Sequence, residues 1–598
     1  MKLTLGALLL SRLALASKPN ILFILTDDQD KHMGSIDFMP QLHESIISKG
    51  VTYPKHFCTV AICCPSRANI WTGRMPHNTN VTDVSPPYGG YPQVVKEGWN
   101  DNYLPLWMQD AGYNTYYVGK LWNYQNVDNY DSPPPRGFNG SEFTLDPYTY
   151  QYYNGMMTRN GAEPVSYKGQ YITDVMEKKA HGFLDEAISH SDRPWMLTVA
   201  PIAPHSNGSL DPSTNIFYQS QPEYAARHAG LFKDYYIPRD ESFNTAIDGG
   251  VSWIKNLPAL NDSVIAYHDE YQQCRLRALQ AVDEMVGGLV SRLEKEGLLN
   301  NTYIIYSTDN GYHIGQRRML PGKECGYDTD INIPLFIRGP GIPENQVFDA
   351  VTSHTDLAPT FLSLAGTTTE GLDGKPIPLT KEEDLDASTE HVGVEYWGIN
   401  LPEGINGYRK ITRNDTKFNV GVYHNNTYKG LRIVSENYNL YYSVWCTNER
   451  ELYDLTVLPP LTSQSPICKT NTPKTDPYQV TNIAAHPSRY EEYKIGNRPL
   501  TQLLNRLDTL MMIIKSCKED TCREPWQKLH PGGHVKSLRD ALSPKFDSFY
   551  SQQPRVSFTS CQDGYLVSAE GPQEVSDVYQ GKRRRKTFEY GDEWMFFS

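Results

Sequence analysis

The stretch Asn20-Ile21-Leu22-Phe23-Ile24-Leu25-Thr26-Asp27-Asp28-Gln29-Asp30 sets the reading of the fold. Ile21–Leu25 is an unbroken apolar run, the pattern of a strand buried on both faces, and it ends directly in carboxylates. Thr115–Val118, Trp195–Val199, Tyr303–Tyr306 and Leu335–Ile337 have the same character. Helical patterns lie between them. The clearest, Asp269 to Glu296, places Leu279, Val282, Val286, Leu289 and Leu293 on one face. The alternation predicts an α/β fold with a central, mostly parallel sheet flanked by helices.

The residues just past each strand carry the chemistry. The first strand leads into Asp27 and Asp28. The second leads into Gly119-Lys120, the third into Pro204-His205, and the fourth into Ser307-Thr308-Asp309-Asn310-Gly311. In a parallel sheet these carboxyl ends share one edge, where α/β proteins build their sites. Past residue 385 the texture changes. Strand-like runs at His391–Trp397, Gly430–Val434 and Tyr438–Val444 precede a helical pattern from Leu500 to Lys515. They predict a smaller C-terminal α+β domain, residues 386–545, with an antiparallel sheet, after a catalytic domain of residues 17–385. Residues 546–598 read as a polar tail.

The sharpest local feature is Cys63-Cys64-Pro65-Ser66-Arg67-Ala68-Asn69-Ile70-Trp71-Thr72-Gly73-Arg74. It closely resembles the sulfatase signature, Cys-x-Pro-Ser-Arg followed by Thr-Gly-Arg. The resemblance runs over about residues 18 to 485. Asn20–Asp28 and Ser307–Gly311 match the family's two metal loops. Gly119-Lys120, Pro204-His205 and Pro321-Gly322-Lys323 match its lysine and histidine loops, and Glu451-Leu452-Tyr453-Asp454-Leu455 its second-domain signature. The closest forms are fungal-type arylsulfatases and glucosamine-6-sulfatases. The fold implied is an alkaline-phosphatase-like sandwich.

The resemblance implies that Cys63 is oxidised to formylglycine (3-oxoalanine) by a formylglycine-generating enzyme. It implies a metal held by Asp27, Asp28, Asp309, Asn310 and the modified residue 63, with Arg67, Lys120, His205 and Lys323 as catalytic residues. One hydroxyl of the hydrated aldehyde would attack sulfur and the other would expel sulfate, with His205 or Lys323 protonating the leaving alcohol. The residues agree with this reading. Asp27, Asp28, Asp309 and Asn310 offer only oxygen ligands, which suits Ca²⁺ and disfavours zinc. Arg67, Lys120 and Lys323 would offset the charge of a sulfate ester, and Cys63 begins what reads as a helix whose dipole adds to that field.

Two departures stand out. Many sulfatases carry a histidine two places after the first lysine; here Trp122 stands there, followed by Asn123, and His313 is a candidate substitute. The second-domain signature usually runs straight into Asp-Pro, whereas Val457–Thr475 separates Thr456 from Asp476. Residues 457–474 are either a surface insertion or a retained intron. Removing them joins Thr456 to Thr475-Asp476, and the transcript across this segment decides between the two.

At the N-terminus, Lys2, the apolar run Leu3–Leu10 and Ala14-Leu15-Ala16 read as a signal peptide, residues 1–16, and so as secretion. Seven sequons agree with that route: Asn80, Asn139, Asn207, Asn261, Asn300, Asn414 and Asn425. No other stretch is long and apolar enough for a membrane span. Ten cysteines over 598 residues are too few for a disulfide scaffold but permit a few bridges, Cys517 and Cys522 being close enough for a local one. Lys+Arg 56 against Asp+Glu 69 gives −13, which argues against a general nucleic-acid binder. The expected substrate is a sulfate ester, an aryl sulfate first. The alternatives are an N-acetylglucosamine-6-sulfate, a phosphonate or phosphodiester for a hydrolase of the same fold, and an inactive sugar-sulfate-binding relative.

Overall fold

The computed structural model describes residues 18–190, 192–211, 216–404, 421–456, 476–491 and 493–579. The expected signal segment, Asn414 and residues 457–475 lie outside the described residues.

The main sheet has ten strands: β1 (Asn20–Thr26), β2 (Val51–Thr52), β3 (Asn114–Gly119), β4 (Gly140–Thr144), β5 (Met156–Arg159), β6 (Val165–Ser166), β7 (Trp195–Ala200), β8 (Thr302–Thr308), β9 (Leu335–Arg338) and β10 (Gln346–Val347). Their order is β10-β2-β9-β8-β1-β7-β3-β4-β5-β6. The centre, β8-β1-β7-β3-β4, is parallel throughout, and β9 and β5 add antiparallel flanks. The mostly parallel sheet expected from the sequence is therefore present. Its central strand shows why the apolar run was continuous. Leu22 and Ile24 face one core, built with helices α2 (Ile172–Ser189) and α3 (Asp262–Lys295). Ile21, Phe23 and Leu25 face the other, with α1 (Cys63–Thr72) and a helix at Leu357–Leu364. Both faces are covered, so neither set can be polar.

A second, four-stranded antiparallel sheet runs β11 (His391–Tyr396), β12 (Tyr428–Ser435), β13 (Tyr438–Trp445), β14 (Arg450–Asp454). One face packs on α4 (Leu500–Ile514) through Leu431, Ile433, Leu503, Leu507 and Leu510. The other face carries Tyr396, Tyr428, Tyr441 and Tyr453 against Phe57, Tyr327 and Ile331 of the main domain.

The segment from 546 to 579 differs from the polar tail expected. Phe546, Tyr550, Val556 and Phe558 enter the core beneath the second sheet, and Cys561 is bridged to Cys446. Its apolar residues follow no helix or strand period, because short helical turns and a disulfide hold them in place. Cys517 and Cys522 form the local bridge. Cys58, Cys63, Cys64, Cys274 and Cys325 are buried thiols. Asp476 N donates to Asp454 O at 3.0 Å, so the chain resumes after residue 475 beside the strand it left.

Candidate active site

Four parallel strands deliver their carboxyl ends to one place. After β1, Asp28 takes a left-handed conformation, φ 62°. That turn breaks the two-residue alternation of a strand, so both Asp27 and Asp28 reach Cys63: Sγ lies 3.4 Å from Asp27 Oδ1 and 3.9 Å from Asp28 Oδ1. Cys63 is the first residue of α1, with its thiol at the positive end of the helix. Arg67, four residues on, shares its face. Its Nε donates to Asp309 Oδ2 at 2.9 Å, its Nη2 lies 3.6 Å from Asp27 Oδ2, and its Nη1 donates to the Lys120 carbonyl at 2.5 Å.

After β3, Lys120 Nζ donates to Asp27 Oδ2 at 2.7 Å. The preceding residue must be glycine. Gly119 has φ 110°, and a Cβ there would sit 2.0 Å from the Ala200 carbonyl oxygen. After β7, His205 stacks on Tyr150, with centroids 4.0 Å apart, and its Nε2 lies 3.5 Å from Asp28 Oδ2. Tyr150 also lies under Lys120 Nζ, and its hydroxyl accepts from Asn123 Nδ2 at 2.7 Å. After β8, Asp309 Oδ1 accepts from the Asp28 and Asn310 amides, and Asn310 Nδ2 donates to Asp28 Oδ1 at 2.8 Å. Lys323 arrives from a loop on the second-domain side and donates to both oxygens of Asp28, at 2.7 and 2.6 Å.

All nine side chains singled out for catalysis and metal binding converge here. Six of them, Asp27, Asp28, Arg67, Lys120, Asp309 and Asn310, are wholly buried. Burial alone would push Asp28 and Asp309 up. Lys323, His205 and Lys120 together outweigh it at Asp28, and Arg67 with Lys120 at Asp309, so both are held below the usual carboxylate range. Asp27 goes the other way, because burial and its neighbour Asp309 exceed the pull of Lys120. Burial and the nearby Asp27 raise the Cys63 thiol well above its usual range.

The side-chain oxygens of Asp27, Asp28, Asp309 and Asn310 fit a hard cation, whereas the unmodified Cys63 thiol and the His205 ring are softer donors. Ligating atoms of Asp27, Asp28, Cys63 and His205 lie within 4.8 Å of one another. Among the described residues the buried Asn310 side-chain oxygen has no hydrogen-bond partner.

His313, the candidate substitute for the histidine missing at Trp122, pairs its backbone with Gly322, next to Lys323. Its Nδ1 is bound to Asp330, at 2.8 and 2.9 Å from the two oxygens, and Trp122 is buried beside Tyr103. Several residues escaped the sequence reading. Glu403 lies 3.1 Å from Lys323 Nζ. Arg275 of α3 donates to the Asp28 carbonyl at 2.5 Å and pairs with Asp30 at 3.1 Å. His354 bridges Ser66 and the Thr308 carbonyl, and burial lowers its pKa to about 4. Arg275 left a signal, since it continues the buried stripe of Leu279, Val282 and Val286. Glu403, alone in a Leu-Pro-Glu-Gly loop, left none.

A parallel α/β sheet whose carboxyl edge surrounds a helix-borne cysteine with buried cations and acidic oxygens defines a hydrolase of anionic esters. The Sulfatase family model matches residues 19–367, and the chain belongs to the sulfatase family. It is a sulfuric ester hydrolase. It is 35% identical over 588 residues to an arylsulfatase of Volvox carteri, covering 93% of this chain and 84% of that protein. It is 30% identical over 534 residues to the human N-acetylglucosamine-6-sulfatase, covering 85% of this chain and 86% of that one. A solved structure in complex with its substrate D-glucosamine-2-N,6-O-disulfate superposes with a TM-score of 0.60 at 22% identity, covering 82% of this chain and 97% of the other. This last likeness speaks for the fold, an alkaline-phosphatase-like sandwich. Among the described residues no helix is long and apolar enough to cross a membrane.

Proposed function

We propose that the chain is a secreted, calcium-dependent sulfatase that hydrolyses aryl sulfates to a phenol and inorganic sulfate through formylglycine at position 63. The approach of Asp27 and Asp28 to Cys63 Sγ, with Arg67, Lys120 and Lys323 around them, carries this reading. Asp27, Asp28, Asp309 and Asn310 would hold the ion, which when bound supplies positive charge to the nucleophilic oxygen and the ester. Oxidation of Cys63 by a formylglycine-generating enzyme supplies a hydrated aldehyde as nucleophile. Arg67 and Lys120 offset the charge of the bound ester from a floor that excludes water, where each charge counts for more than in solvent. His205 and Lys323 stand nearer the opening and are the candidate proton donors to the leaving oxygen.

Among the described residues two disulfides and five exposed sequons, Asn80, Asn139, Asn261, Asn300 and Asn425, support the secretory route; Asn207 is half-buried. The arylsulfatase relatives favour an aryl sulfate, and the N-acetylglucosamine-6-sulfatase relatives support a sugar sulfate as the second reading.

The test is mass spectrometry of the tryptic peptide His56–Arg67 from protein secreted by its native host, with sulfate release from 4-nitrophenyl sulfate and N-acetylglucosamine-6-sulfate measured beside it. An aldehyde at position 63 and faster release from the aryl ester are expected. An intact thiol would refute the formylglycine reading, and faster release from the sugar would reverse the substrate order.

A further inference from the structure

The candidate site has a floor and a mouth. Asp27, Asp28, Arg67, Lys120, Asp309 and Asn310 have no exposed surface, whereas His205, Lys323 and Glu403 retain 4%, 5% and 5%. Glu403 comes from the segment after β11, so the second domain supplies it. Its amide donates to the Pro321 carbonyl at 2.7 Å, and its carboxylate accepts from the Tyr312 hydroxyl at 2.8 Å. Tyr312 is itself held, with Arg275 over its ring at 4.0 Å. The carboxylate is thus fixed 3.1 Å from Lys323 Nζ, whose other partner is Asp28 at 2.6 Å.

We propose that Glu403 sets the charge of the ester this site accepts, favouring monoanionic sulfate esters over dianionic phosphate monoesters. The inference rests on the sulfate-ester reading above. A sulfate ester and a phosphate monoester share one tetrahedral shape, so the walls of the site separate them poorly. Charge separates them: near neutral pH the first carries one negative charge and the second mostly two. Lys323 divides its single positive charge between Asp28 and Glu403. Whatever counter-charge the floor carries, Glu403 lowers the positive charge facing the ester by one unit. Its position at the mouth makes it a like charge to any additional anion. A specificity filter of this kind is a repulsive element and does not require contact with the reacting atoms.

The experiment compares kcat/KM for 4-nitrophenyl phosphate and 4-nitrophenyl sulfate, which share a leaving group, in the wild type and in Glu403→Gln. The glutamine keeps the shape and the acceptor for Tyr312 but removes the charge. The phosphate-to-sulfate ratio is expected to rise about tenfold, the effect of deleting a nearby like charge in a partly screened site. A purely structural role would lower both rates together, and an unchanged ratio would overturn the proposal. Competitive inhibition of the wild type covers the case of a variant that does not fold. Monoanionic phenyl methylphosphonate should inhibit more strongly than dianionic phenyl phosphate, and the reverse order or equality would overturn the proposal. Release of nitrophenol from neither ester by the wild type would instead refute the aryl-sulfatase reading, and the inference with it.

Discussion

Replacing Arg67 with methionine removes the guanidinium that faces both Asp309 and Asp27 in the floor of the site. At 2.9 Å from Asp309 and 3.6 Å from Asp27, it is attracted to the two carboxylates by about 5 kcal/mol each at an effective dielectric of about 20. Taking the guanidinium out of water offsets roughly half of that total, which leaves a loss of about 3–5 kcal/mol, the usual cost of breaking a buried pair from one side. The loss has a pH signature. Asp309 is held below its ordinary range, burial being outweighed by Arg67 and then Lys120. A depressed carboxylate stabilises the fold above its unfolded pKa, and that stabilisation is lost as pH falls through the folded value. Without Arg67 much of this contribution disappears, so the gap between wild type and variant should be widest near neutrality and narrow on acidification. Urea unfolding followed by tryptophan fluorescence at several pH values measures it. A gap under about 1 kcal/mol at neutral pH, or one that widens in acid, would refute the electrostatic account of the floor. Arg67→Lys should recover part of the stability, since it keeps the charge and loses the fork.

Cys63→Ser should release at most one equivalent of phenol, leaving a sulfated enzyme visible by intact mass; sustained turnover would contradict the proposed nucleophile. His205→Ala and Lys323→Met should each cost about 10²–10⁴ in kcat/KM. The residue that protonates the leaving oxygen should show the larger loss with phenyl sulfate than with 4-nitrophenyl sulfate, and equal losses for both esters in both variants would exclude either as the donor. Chelation with EGTA should abolish activity, and Ca²⁺ should restore it better than Zn²⁺; undiminished activity after exhaustive chelation would argue against the oxygen-rich metal site.

The parts of this site visible in the sequence are those tied to strand ends. A strand covered on both faces is mostly apolar, so β1, β3, β7 and β8 announce themselves, and the residues just past them were legible with them. The helix-borne group, Cys63 with Arg67, was legible because its motif is local. The mouth was not. Glu403 and Tyr150 reach the site through irregular chain, where no period marks a buried residue. Tyr150 occupies ground beside His205 that the displaced Trp122 motif gave no means of anticipating. The same reason hid the packing of residues 546–579, whose anchors Tyr550, Val556 and Phe558 are spaced by turns.

The enclosure of Cys63 has a consequence in time. Cys63 retains 1% of its surface, and one wall around it is Asp309 to Lys323. Roughly 260 residues of synthesis separate position 63 from position 323, which at about 5–20 residues per second is roughly 13–50 s. Any enzyme that oxidises this cysteine must reach it in that interval or delay the closing of the sheet. Slow translation or a folding defect that keeps β8 undocked would then lengthen the interval, whereas rapid closure would seal in an unmodified thiol. The fraction of chains bearing the aldehyde would therefore record the race between synthesis, folding and modification.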